Sequence, residues 1–168
     1  MRADEGESGY QWSEVEQSGV KGVAGMMMGE FSHGLDDKGR LIIPARFRDD
    51  LHHRFVITKG LDGCLFFYPM VEWNKLEERL RALPMTNQGA RAFTRLFLAG
   101  AQDVEMDKQS RVTIPGRLRE YAEIDKGCVL VGVSNRAELW SDLRWQRYQE
   151  ETQADYEKLA EQMVDLGF

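Results

Sequence analysis

Residues 35–51 read LDDKGRLIIPARFRDDL, and 71 positions later residues 106–122 read MDKQSRVTIPGRLREYA. The two stretches align without a gap. The identical pairs include Asp36 and Asp107, Arg40 and Arg111, Pro44 and Pro115, Arg46 and Arg117, and Arg48 and Arg119. Two copies of one unit indicate a pair of halves related by an approximate two-fold axis, because a solenoid needs at least three repeats.

The repeated unit predicts the same order of elements in each half. A strand leads into a turn at residues 37–40, where Gly39 can adopt a positive φ. A short apolar strand follows, and a proline then starts a helical turn. The predicted strands are a short one that begins at Gly29 and those at 41–43, 54–59, 64–68, 102–106, 111–114, 128–133 and 136–140, and the predicted helices are 69–83, 87–99 and one from Ser141 to Leu166. Each half has unpaired strand edges that the other half can cover, which predicts an α+β fold with one β-barrel built from both halves.

The ends of the chain differ from its middle. With 168 residues the chain has room for one compact domain or two interlocked halves. Residues 1–25 are polar and rich in Gly, Ser and Glu, which predicts disorder. Residues 21–23 can be encoded by a stretch that resembles a ribosome-binding site, so residues 1–27 form an extension that is either disordered or outside the native coding sequence, with initiation at Met26, Met27 or Met28. No apolar segment is long enough for a signal peptide or a membrane span, so a cytoplasmic protein is expected. Cys64 and Cys128 occupy different places in the repeat, and we expect reduced core thiols.

The charge is divided along the chain. The net charge is −6, but residues 1–27 carry −3 and residues 146–168 carry −4, which leaves +1 for the middle. Within the middle, residues 36–48 hold four basic and two acidic side chains, and residues 107–119 hold four and one. The positive charge therefore lies on the repeated motif, as expected for a nucleic-acid contact.

The repeated Asp and Arg residues suit either of two roles. An arginine at the end of a tight turn can present its guanidinium to guanine or to phosphate, and an aspartate four residues earlier can orient it. Lys38 and Lys108 add charge beside it. The alternative is that each Asp–Arg pair is an internal salt bridge that closes its turn. The arginines after each proline suit either phosphate contacts or a subunit interface; they are Arg46, Arg48, Arg117 and Arg119.

Several motifs in order resemble the bacterial MraZ family over residues 28–150. They are the two repeated stretches together with FVITKGLDGCLFFYPMVEW, ARAFTRLFLAGA and VLVGVSNRAELW. The resemblance implies a double-split, swapped-hairpin barrel related to the AbrB regulators and the MazE-like antitoxins. It would contain AbrB-like repeats at 28–84 and 85–145 and an acidic C-terminal helix at 146–168. The family's DxxxR signature falls on Asp36 and Arg40 and on Asp107 and Arg111.

The same resemblance implies a function. Members of the family are transcription factors of the division and cell-wall gene cluster, associated with the nucleoid. They form rings, commonly octamers, and bind direct repeats of double-stranded DNA in the promoter upstream of their own gene. One departure concerns the second turn, where Ser110 replaces Gly39 and Lys108 replaces Asp37. We therefore expect the two turns to differ in shape, and which half faces DNA stays open.

Other classes of function have less support. No nucleophile motif, phosphate-binding glycine loop or cofactor signature occurs, and no histidine has a counterpart in the other half, which argues against an enzyme. His52 and His53 have no further ligand at metal-binding spacing. An antitoxin of related fold usually carries one motif per chain and a disordered tail. A scaffold that binds proteins through the acidic C-terminal helix remains an alternative.

Overall fold

The computed structural model describes residues 25–167. The elements in chain order are β1 (Met27–Gly34), β2 (Arg40–Ile42), α1 (Ala45–Leu51), β3 (Arg54–Lys59), β4 (Leu65–Pro69), α2 (Met70–Arg81), α3 (Gln88–Ala99), β5 (Gln102–Glu105), β6 (Arg111–Thr113), α4 (Gly116–Tyr121), β7 (Gly127–Ser134), β8 (Ala137–Ser141), α5 (Asp142–Gln153) and α6 (Tyr156–Val164). The predicted strands are present, and the two prolines of the repeat, Pro44 and Pro115, stand directly before a short helix. Most of the predicted N-terminal extension lies outside the described residues, but β1 begins inside it at Met27, which is buried against the core.

The two halves exchange strands. All pairs are antiparallel, and the main sheet has the order β1-β7-β8-β4-β3-β5, while β2 and β6 form a separate two-stranded sheet. The first strand of each half thus pairs with the third strand of the other half. Leu41 lies opposite its own counterpart Val112, so the approximate two-fold axis passes through this pair.

The six-stranded sheet does not close into the predicted barrel. The end strands β1 and β5 do not pair, so the six-stranded sheet is open. The reason is local: after each end strand the chain turns, and β2 and β6 pair only with each other. What the sequence predicts correctly is an α+β fold with antiparallel sheets shared by both halves.

One core joins both halves. Its largest fully buried side chains include Phe47 and Phe67 from the first half and Ile114 and Leu130 from the second. Full burial of such a side chain stabilises the fold by about 1.5–3 kcal/mol relative to exposure. Neither half could bury these residues alone, which explains why the strands are exchanged.

A second, smaller cluster attaches α2 and α3 to the outer side of the main sheet. The rings of Trp73 and Phe97 stack with centroids 5.8 Å apart. Thr58, which is fully buried on β3, donates a hydrogen bond of 2.8 Å to the carbonyl oxygen of Phe97. This bond connects the sheet directly to α3.

The predicted single C-terminal helix is wrong. The chain forms α5 and α6 instead, with Ala154 and Asp155 between them. Asp155 has φ −105° and ψ 9°, outside the helical region, and aspartate favours such positions at helix ends. Because α6 buries no residue, no core contact holds the two segments in one straight helix. None of the helices within residues 25–167 is long and apolar enough to span a bilayer.

Candidate nucleic-acid interface

The first repeated turn is held by one carboxylate. Oδ1 of Asp36 accepts hydrogen bonds of 2.9 Å from the backbone amides of Lys38 and Arg40. Oδ2 accepts a bond of 2.6 Å from Nε of Arg40. Gly39 has φ +73° and completes the turn through a backbone bond to the carbonyl of Asp36. The aspartate therefore fixes both the backbone of the turn and the direction of the arginine.

The second turn has the same geometry. Asp107 accepts 2.8 and 2.9 Å bonds from the amides of Gln109 and Arg111, and a 2.8 Å bond from Nε of Arg111. Ser110 takes the place of Gly39 and adopts φ +59°. The expectation of a different turn shape is therefore wrong, because the carboxylate imposes the same bonds on both turns.

Both aspartates are held in the charged form. The pKa of Asp36 lies below its ordinary value chiefly because the backbone amide of Arg40 donates to the carboxylate, and the Arg40 side chain adds to this against a smaller opposing effect of burial. The pKa of Asp107 is lowered in the same way by the amide and side chain of Arg111. Each Asp–Arg pair is thus ionised at neutral pH.

The salt bridges do not use the whole guanidinium group. Arg40 and Arg111 each bind their aspartate through Nε, and each side chain is 26% exposed. Within residues 25–167 their terminal amino groups form no hydrogen bond. An arginine held at Nε presents its two terminal nitrogens as a fixed fork, which matches guanine O6 and N7 or a phosphate. The salt-bridge role and the DNA-contact role are therefore compatible.

Both arginines lie on one face of the small sheet formed by β2 and β6, which we call the ribbon. Arg40 is opposite Thr113, and Ile42 is opposite Arg111. Alternate residues of a strand point to opposite faces, and the residues between these, Leu41 and Val112, are buried. Arg40 and Arg111 are diagonal neighbours, about 7–8 Å apart at Cα. A single protomer therefore presents the arginines of both repeats on the same surface.

The arginine face of the ribbon also contains two residues that were not predicted as site residues. Ile42 and Thr113 are exposed between the arginines. The signal was present in the sequence, because each follows a buried residue in a strand of three and must share the face of its arginine. A β-branched side chain at this place can contact the methyl group of thymine.

The last arginine of each short helix, Arg48 in α1 and Arg119 in α4, donates a hydrogen bond within the protein. Nε of Arg48 donates to the carbonyl oxygen of Ile43 at 2.7 Å, and Nε of Arg119 donates to that of Ile114 at 3.1 Å. The guanidinium of Arg119 also lies against Gly39 of the other half. Each bond ties a short helix to the residue that follows its ribbon strand, and the guanidinium of Arg119 also supports the first turn.

The remaining predicted site residues stand at the surface. Arg46 and Arg117 are exposed in the first turns of α1 and α4, and Lys38 and Lys108 are exposed at the two turns. All four are available to phosphates. The two cysteines are buried free thiols, and within the described residues no three His, Cys, Asp or Glu side chains form a cluster that could hold a metal ion.

Comparison with known proteins supports the division of the chain into two repeats. The family described as "MraZ protein, putative antitoxin-like" matches residues 26–96 and again residues 97–167. A protein named transcriptional regulator MraZ from Moorella thermoacetica is 59% identical over 141 residues, covering 84% of this chain and 99% of that protein. Proteins of the same name from Carboxydothermus hydrogenoformans and Desulforamulus reducens are 57% and 55% identical with the same coverage. The chain belongs to the MraZ family.

Proposed function

We propose that this protein is a sequence-specific DNA-binding transcriptional regulator that reads DNA with the ribbon. The observation that carries the proposal is the placement of both Asp-oriented arginines on one exposed face of a two-stranded sheet. The major groove of B-DNA admits a two-stranded β-ribbon, and arginine paired with guanine is the commonest specific contact there. The relatives that carry the name transcriptional regulator support the same role.

The proposed DNA contacts are of two kinds, those that read base edges and those that position the ribbon on the duplex. Arg40 and Arg111 read base edges, with Asp36 and Asp107 as their orienting partners. The exposed cations around the ribbon bind phosphates and set its position on the duplex; they are Lys38, Arg46, Lys108 and Arg117. Arg48 and Arg119 hold the short helices next to the ribbon, and Arg119 also supports the first turn. Because few phosphates are contacted per protomer, one protomer binds weakly and its affinity falls as salt rises.

The full proposal includes assembly and target. The two halves, residues 28–84 and 85–145, are proposed to be AbrB-like repeats of a swapped-hairpin barrel, and the exchange of strands between them supports this. Protomers assemble into a ring, an octamer, that places several ribbons on direct repeats of a promoter. The regulated genes are the division and cell-wall cluster, and the protein acts in the cytoplasm at the nucleoid. A ring on tandem sites raises affinity through effective concentration without any new contact.

The test is a titration of the protein against labelled DNA from upstream of its own gene, at two salt concentrations, with scrambled DNA as reference. Two bidentate contacts at about 1–3 kcal/mol each predict that Arg40→Ala with Arg111→Ala weakens specific binding by about thirtyfold or more. Arg54→Ala is the matched control, since Arg54 also forms an exposed ion pair, with Asp103, but lies on β3. Equal affinity for both DNAs, or an unaffected double variant, would contradict the proposal.

The alternative is an antitoxin-like or scaffold protein of the same fold that acts through protein partners. The observation in its favour is the acidic C-terminal pair of helices, which exposes apolar side chains. Purification of the protein from its native host decides between the two. A stoichiometric small protein in place of bound DNA would support the alternative.

A further inference from the structure

The corner between α2 and α3 is basic and apolar. Residues 79–102 contain four arginines and no acidic residue. A groove of about 300 Å³ runs along this corner, and its lining includes Leu83, Met85, Arg91 and Arg95. Leu83 is 40% exposed and Met85 is 83% exposed, although both are large apolar side chains. Arg91 and Arg95 lie one helical turn apart on the outer face of α3, beside these apolar residues.

The C-terminal helices form an opposite surface. Between α5 and α6 lies a hollow of about 830 Å³ whose lining includes Trp145, Tyr148, Tyr156 and Leu159. Nε1 of Trp145 is buried and has no hydrogen-bond partner within residues 25–167. Residues 155–165 carry four acidic side chains and one lysine, so the hollow has an acidic rim along α6.

The helix α6 needs a partner to be stable. It has nine residues and none of them is buried. Isolated helices shorter than about 12–15 residues are marginal in water, and most helices in proteins are stabilised by packing of an apolar face. Tyr156, Leu159 and Met163 share one face, while Glu157 and Glu161 follow its edge. This face calls for a partner that is apolar at its centre and basic at its border.

We propose that the basic corner of one copy of the chain seats in the C-terminal hollow of a second copy. The positive charge of the corner complements the acidic rim of the hollow, and its exposed apolar side chains match the aromatic and apolar lining of the hollow. Met85 is the most exposed apolar residue of the corner, and a flexible thioether suits an aromatic pocket such as that of Trp145 and Tyr148. The occupant is a second copy because its charge is complementary, whereas DNA would be repelled by the acidic rim.

The two surfaces are different parts of the chain, so the interface is head-to-tail. Each copy would offer one corner and one hollow, and such contacts continue from copy to copy until a ring closes. The inference rests on the assembly in the proposed function and identifies the surfaces that form it. The ribbon takes no part in the interface and stays available to DNA.

Charge reversal of the full chain tests the interface by light scattering or mass photometry. One variant carries Glu157→Arg and Glu161→Arg, and the other carries Arg91→Glu and Arg95→Glu. Each variant alone is expected to fall to a smaller species, with an unchanged circular dichroism spectrum. An equimolar mixture is expected to recover the parental size, because a reversed corner then meets a reversed hollow. Glu150→Arg with Glu151→Arg on α5 is the control of equal charge change and should keep the parental size.

The outcomes separate this inference from the proposed function. A parental chain that is monomeric, variants that keep the parental size, or a mixture that does not recover it would overturn the interface. If the interface is right, the dissociated variants bind a single DNA repeat like the parent but lose about 10²–10⁴-fold in affinity for tandem repeats. If the variants dissociate and recover as expected but neither parent nor variant binds DNA, the interface stands and the DNA-binding proposal fails.

Discussion

Replacement of Gly39 by alanine should destabilise the protein through a contact between its two halves. Gly39 has φ +73°, a conformation that costs an L residue about 1–2 kcal/mol. A Cβ at this position would lie 2.8 Å from Cζ of Arg119, which is closer than carbon atoms can approach. The guanidinium would have to move, and its 3.1 Å bond to the carbonyl of Ile114 would be weakened. Loss of a hydrogen bond from a charged group costs about 1.5–3 kcal/mol.

Backbone strain and full loss of the bond together lower the free energy of unfolding by roughly 2.5–5 kcal/mol. With a urea m-value of about 2 kcal/mol/M, the midpoint of unfolding should fall by about 1–2.5 M. Variant and parent must be compared at equal protomer concentration, because assembly adds to stability.

The second repeat provides the control for this prediction. Ser110 already holds φ +59° with a side chain, so Ser110→Ala introduces no new strain, and its effect should stay within about 0.5 kcal/mol. If Gly39→Ala costs no more than Ser110→Ala, the proposed contact between the first turn and Arg119 does not contribute to stability.

Three further predictions concern titration, reactivity and packing. The pKa values of Asp36 and Asp107 are lowered in the folded state, so the stability they confer is present above the unfolded value near 3.8 and is lost as the pH falls through the folded values. Carboxyl NMR should therefore give both midpoints below 3.8, and a midpoint above it would contradict the turn geometry. Burial raises the pKa of Cys64 and Cys128 to about 12, so a thiol reagent at pH 8 should label neither until denaturant is added, and rapid labelling of the native protein would refute this. Thr58→Val removes the buried hydroxyl that donates to α3 and leaves the carbonyl oxygen of Phe97 without this bond, which should lower the free energy of unfolding in urea by about 1–3 kcal/mol. An unchanged midpoint would show that this bond does not hold α3.

The sequence predicted the elements well where proline or glycine marks their boundaries. Proline before each short helix and glycine in the hairpin turn set boundaries to within one or two residues. The register between the repeats was also sufficient to place both Asp–Arg pairs at equivalent turns. These features are local, and local residue chemistry determines them.

Three features differ from the sequence-based expectation, and each depends on contacts that the pattern of residues alone does not encode. The equal shape of the two turns follows from the aspartate, and glycine or serine at the positive-φ position does not alter it. The open edge of the sheet depends on how β2 and β6 pair, and no periodicity encodes that choice. The break before α6 arises where the core ends, so the apolar stripe alone predicted a continuous helix.

The geometry of the ribbon connects the proposed DNA reading with the proposed assembly. Two arginines about 7–8 Å apart span roughly two base-pair steps of about 3.4 Å. If the ribbon reads DNA as proposed, one ribbon covers only two or three base pairs, and such a site occurs far too often in any genome to direct a regulator. Both repeats are already used in one ribbon, so the chain holds no second surface of this kind within its described residues. The DNA-binding proposal therefore requires several protomers held at fixed spacing and an operator of short repeated elements.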